Sequence, residues 1–125
     1  MKSLLRVLSV TLFLFLIFFS SSFAQKAATV TGEIVDLKTF VVDKIKPNSS
    51  AGLEVTKEGF MRGGTFALVE KKTNKIVILI PSANNPNLYS ALEPYFGMQV
   101  FIKGQQYSSG GVRLLTVDDI GKSLK

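Results

Sequence analysis

Five short stretches rich in β-branched and other apolar residues, set apart by glycine, proline and polar clusters, constrain the fold of this chain more than any other feature. The first runs from Ala28 to Val42 and reads as one long strand, with Gly32 marking a bulge or bend early in it. Thr65 to Glu70 and Lys75 to Ile80 read as the second and third strands, joined by Lys71-Lys72-Thr73-Asn74. Ile76-Val77-Ile78-Leu79-Ile80 is apolar at every position, which predicts burial on both faces, and Pro81 ends it. Val100 to Lys103 and Val112 to Val117 are the fourth and fifth strands. Gln105 to Gly111 reads as a polar loop between them, and Asp118 to Lys125 as a polar tail.

One helical signal falls between the third and fourth strands. Asn85 is placed to cap a helix, Pro86 to occupy its first position, and Pro94 to stop it. Leu88 and Leu92, four apart, share one face. A second short helix over Ala51 to Phe60, capped by Ser49 or Ser50, fits the composition. Leu53, Val55 and Phe60 give it no clean apolar stripe, and Gly59, Gly63 and Gly64 limit its length. Five strands with a helix between the third and fourth is the plan of an all-β, five-stranded OB-fold-like small barrel. Leu88 and Leu92 would plug one end of it.

The amino terminus follows a different rule. Lys2 and Arg6 precede an apolar run from Val7 to Phe19, and Ser20-Ser21-Ser22-Phe23-Ala24 follows. Charged start, short apolar centre and small residues at Ser22 and Ala24 make a secretory signal peptide over residues 1–24, cleaved before Gln25. The run is short for a membrane span, which needs about 20 residues. The expected product is a periplasmic or secreted domain over residues 25–125, with no membrane span. Taking Lys2 and Arg6 from the formal charge of +6 leaves +4.

The chain has no Cys, no His and no Trp. Disulfides, a Cys/His zinc site, a Cys nucleophile and a His base are therefore all excluded. Asn48-Ser49-Ser50 matches the N-glycosylation pattern, which matters only in a eukaryote.

Three stretches carry a resemblance. Val30-Thr31-Gly32-Glu33-Ile34-Val35-Asp36 resembles the T-G-E-V-V-D type first strand of a family of small exported bacterial OB-fold-like proteins. Arg62-Gly63-Gly64-Thr65-Phe66-Ala67-Leu68-Val69 is similar to that family's K-G-M-P-V-G-L-L type entry to the second strand. Leu92, Gly97, Val100, Ile102 and Gly104 follow its L-x(4)-G-x-x-V-x-V-x-G signature. Many members carry Cys residues at places that fall on Thr39, Val55 and Gly59 here. The resemblance thus implies a retained scaffold that has lost a Cys-based metal or redox site.

No catalytic constellation stands out. Glu33 and Asp36, three apart on a strand, point to opposite faces and make a poor acid/base pair. Asp118-Asp119 supplies too few oxygens for a hard cation. Ser108 and Ser109, ahead of Gly110-Gly111, have no partner base. Lys71, Lys72 and Lys75 read as charges that protect a strand edge.

OB-folds bind ligands on the face of the second and third strands and the loops that frame it. The residues that would form such a face are Phe60, Arg62, Phe66, Lys75 and Tyr107, with Leu68 beside them. Aromatic and basic side chains together suit stacking and polar capture of a ring. The expected function is an exported binding or interaction module without enzymatic chemistry, taking a small molecule, a glycan or a protein partner. Binding of an oligosaccharide or cell-envelope polysaccharide is the alternative, and a carboxylate-based hydrolase the third reading. The modest charge and export argue against nucleic acid, and no metal or other cofactor is implied.

Overall fold

A computed structural model describes residues 25–124. The expected export signal lies outside the described residues, as does Lys125. The chain forms strand β1 (Gln25–Asp36), helix α1 (Leu37–Val41), helix α2 (Ser50–Met61), β2 (Phe66–Glu70), β3 (Ile76–Ile80), helix α3 (Leu88–Leu92), a 3-10 turn (Glu93–Tyr95), β4 (Gln99–Ser109), β5 (Val112–Thr116) and β6 (Asp119–Lys122).

Strand order is β1-β2-β3-β5-β4, and β1 also pairs with β4, so five strands close into a barrel. The pairings are antiparallel except β3 with β5, which is parallel. This is the OB-fold-like small barrel that the strand order predicts, with α3 between β3 and β4. β1 closes it by pairing its first part with β4 (Gln25 to Glu33) and its last part with β2 (Gly32 to Asp36). The handover falls at Gly32, where an added Cβ would strike the Val69 carbonyl oxygen. Closure therefore requires glycine there.

Alternation sorts the strands into two faces. Val30, Ile34, Leu68, Val77, Leu79, Val100, Ile102, Leu115 and Val117 fill the interior, together with Phe60, Leu92 and Phe96 from the helical segments. A second, smaller cluster forms outside the barrel wall. Val35, Ala67 and Val69 pack there under Leu37 and Phe40 of α1, beside Ile76. The unbroken apolar run of β3 serves both faces unequally. Val77 and Leu79 are buried inside, whereas Ile76, Ile78 and Ile80 are half-buried outside.

Several boundaries differ from the sequence expectation. β1 stops at Asp36 rather than Val42, because the Asp36 carboxylate takes the Thr39 N–H and hydroxyl and starts a helical turn. α2 is a full twelve-residue helix. Ser49 Oγ caps it by accepting from Gly52 N at 3.1 Å. A Schellman motif ends it, with Gly63 N–H on Phe60 O, Gly64 N–H on Gly59 O and Gly63 at φ +85°. Its buried face is Gly52, Thr56 and Phe60, four apart. Two of these are not apolar side chains, which is why no hydrophobic stripe shows in the sequence.

The polar residues 105–109 are strand, not loop. β4 runs to Ser109 and turns into β5 through Gly110 and Gly111, both at positive φ as a two-residue hairpin of the primed type requires. The polar tail holds a sixth strand, β6, which pairs with residues 100–103 of β4. α3 is capped by Asn87 Oδ1 rather than Asn85. The Asn85 amide instead donates to the Val117 and Asp118 carbonyls and ties the β3–α3 loop to the barrel. Among the described residues no helix is long and apolar enough to cross a membrane.

Candidate functional site

The five sequence-nominated residues do not form one face. Phe60 and Phe66 meet at one end of the barrel, with ring centroids 4.2 Å apart and planes at 24°. Phe60 is buried, and both rings pack with the interior cluster. Arg62 stands just beyond α2, largely exposed, with its guanidinium 3.9 Å from Glu58. Lys75 lies at the other end of β2 and β3, in the hairpin where Glu70 accepts from Arg113 at 3.1 Å and from Thr73 at 2.8 Å. Four residues of strand rise, about 13 Å, separate the two ends. Tyr107 is on the outer wall, 38% exposed, opposite Leu114 of β5.

The expected ligand face differs from the outer wall of β2 at Phe66 and Leu68. Leu68 and Phe66 point inward, so the outer face of β2 and β3 presents Ala67, Val69, Ile76, Ile78 and Ile80 instead. The register continues this row around the wall, from Ala67 to Ile78 to Leu114 to Tyr107.

What the structure does assemble is a groove of about 550 Å³ at the barrel end. Phe60, Met61 and Phe66 line it from α2 and β2, and Leu88 and Tyr89 from α3. The aromatic system extends below it. Phe96 lies 5.1 Å from Phe60, and Tyr89 meets Phe96 edge-on at 5.8 Å and 79°. Met61 is 75% exposed on the rim. Gly63 leaves one corner open, since nothing lies within 4 Å of where its Cβ would be. The volume is in the range of small-molecule sites. Sequence reasoning found Phe60 and Phe66 here but missed Met61, Leu88 and Tyr89. The i+1 placement of Met61 after a buried Phe was the available signal.

No carboxylate or ammonium lines this groove, but Asp36 packs directly against Gly64 at its edge. Asp36 is 2% exposed, and its Oδ2 accepts from Thr39 N at 3.2 Å and Thr39 Oγ1 at 2.6 Å. A Cβ on Gly59 or Gly64 would strike that carboxylate. Of the three places where the resemblance puts Cys residues, Thr39 and Gly59 therefore meet at Asp36, while Val55 is exposed. Glu33 is 8% exposed, and its Oε1 has no hydrogen-bond partner. Burial pushes its pKa up, and the nearby Lys46 charge only partly offsets this. Glu70 titrates below the usual range because Arg113 and then Thr73 donate to it. Among the described residues no group of three or more His, Cys, Asp or Glu side chains is placed to hold a metal ion. No protein-family model, curated protein or solved structure matches the chain.

Proposed function

We propose that this chain is an exported binding module that works without enzymatic chemistry of its own, and that its ligand seat is the groove at the barrel end. The groove itself carries the reading. Met61, 75% exposed beside the half-buried Phe66 and the buried Phe60, offers water an apolar, polarizable side chain. Its other walls, Leu88 and Tyr89, are half-buried. The lining holds no acid, base or nucleophile, only the Tyr89 hydroxyl and an Asn87 side chain already engaged as a helix cap. Such a surface suits a flat or branched apolar ligand, with Tyr89 as the one polar handle.

The test is titration of the protein, as recovered from the producing cell, with small ring compounds. Met61→Ser should weaken the best binder about tenfold, the effect of about 1.4 kcal/mol of lost apolar contact. It should leave the melting temperature nearly unchanged. An equal loss on Tyr107→Ala would move the site to the outer wall and refute this one.

Tyr107 favours a second reading, an oligosaccharide. It stands exposed on the wall with Gln105 two residues away on the same face, an aromatic plate beside an amide. A glycan array with a charge-matched control protein tests it, and no enrichment would sink it.

A further inference from the structure

A second groove lies between α1, the loop that follows it and Ile76 of β3, with a volume of about 470 Å³. Its floor is apolar, formed by Phe40, Val41 and Ile76, and its rim is polar and cationic, formed by Lys44, Lys46 and Asn48. We propose that this groove binds a free amphipathic anion, a single carboxylate or phosphate head on an apolar chain.

Three observations converge on that chemistry. The first is charge. Asp43, the acid nearest in sequence, is drawn to Lys38 at 3.8 Å, and Glu33 lies buried near Lys46. Lys44 has no carboxylate within ion-pairing distance among the described residues. The groove thus presents positive charge in excess. The second is placement. The Lys46 ammonium sits 5.7 Å from the Phe40 ring centroid, so a cation–π contact holds it at the edge of the apolar floor. The third is backbone direction. Lys44 takes φ +59° where the chain turns out of α1, with Ile45 N–H on Thr39 O at 3.1 Å, so the helix end fixes where the Lys44 side chain leaves the backbone.

The head of the ligand would lie between Lys44 and Lys46, with the Asn48 amide in reach, and its tail over Val41 and Ile76. Val41 is 44% exposed and has room to be covered. A concave site with two cations suits a single free molecule. A membrane surface is met by a cluster of about four to eight Lys or Arg.

The experiment is a titration of the ¹⁵N-labelled full-length chain with decanoate, decyltrimethylammonium and decanol, followed by amide shifts. Decanoate should move the amides of Phe40, Lys44, Asn48 and Ile76 saturably, and the cationic amphiphile should not. Lys44→Gly should weaken decanoate about tenfold, as loss of one charge-assisted contact does. The same change removes left-handed strain, so it should hold or raise the melting temperature. That separates lost binding from lost folding. Equal shifts with the cation, or with decanol alone, would overturn the proposal. So would unchanged affinity in Lys44→Gly, shifts confined to residues 60–66 and 86–89, or binding to phosphatidylglycerol vesicles without binding to free decanoate.

Discussion

Gly59→Ala should behave oppositely in two backgrounds, and the size of the difference follows from Asp36. Gly59 lies inside α2 with an ordinary helical backbone, so Ala there gains about 1 kcal/mol of helix propensity. Against that gain, the new Cβ would lie 2.6 Å from Asp36 Oδ2 and 2.9 Å from its Cγ. The carboxylate has nowhere to go. It is buried, its Oδ2 is held by Thr39, and its Oδ1 abuts Gly64. Overpacking of this kind costs about 1–3 kcal/mol, so the net change in the native chain is a destabilisation of about 0–2 kcal/mol. Asp36→Ala alone removes the cap of α1, at a cost of about 1–2 kcal/mol. In that background Oδ2 and Cγ are gone and only the β-carbon remains, 3.3 Å from the new Cβ, so Gly59→Ala should stabilise by up to about 1 kcal/mol. The coupling between the two sites is then about 1–3 kcal/mol, most of the overpacking term. Urea unfolding of the four proteins, followed by far-ultraviolet circular dichroism, measures it directly. Four free energies that add to within about 0.5 kcal/mol would refute the packing described for this corner.

Other expectations test separate parts of the account. Leu92→Ala, at a fully buried position under the barrel end, should cost about 2–5 kcal/mol in urea unfolding. Arg62→Ala and Tyr107→Ala, at exposed positions, should each stay within about 0.5 kcal/mol of the native chain in the same assay. Burial raises the Glu33 pKa above its ordinary 4.5, so the folded state keeps a proton that the unfolded state has lost. Its stabilising contribution is complete below that value and lost as pH rises through the raised pKa. Glu33→Gln should therefore flatten the decline in stability above pH 4.5, and parallel pH profiles would contradict it. Glu70 runs the other way. Its lowered pKa gives stability present above 4.5 and lost as pH falls, so Glu70→Gln should flatten the acid limb of the same profile.

The barrel was legible because its strands obey period two and its breaks fall at glycine and proline. The run Ile76 to Ile80 and the segments around Ile34 and Leu115 owe their strand form to apolar side chains that the sequence displays openly. What stayed hidden owes its form to hydrogen bonds and close approach. Residues 105–109 are polar, and they are strand because β1 and β5 flank them. α2 shows no apolar stripe because its buried face is built from Gly52 and Thr56. Gly52 lies so near the Lys46 carbonyl that a Cβ there would strike it. The nominated face was not legible because alternation in β2 shows that Phe66 and Leu68 share a side but not which side is the interior, and only closure of the barrel turns that side inward. Aromatic character singles out Phe60 and Phe66 among the five nominated residues, but only the fold stacks them and brings Leu88 and Tyr89 across from α3 to complete the groove.

The central claim is that the barrel-end groove takes an apolar ligand, and the ε-methyl resonance of Met61 reports on it most directly. Met61 stands on the groove rim, while Gly110 turns the hairpin at the opposite end of the barrel. In a screen of apolar ring compounds against the methyl-labelled full-length chain, the account predicts saturable shifts at Met61 with the Gly110 amide unmoved. A screen in which the Met61 methyl stays fixed, or moves only together with Gly110, would contradict it.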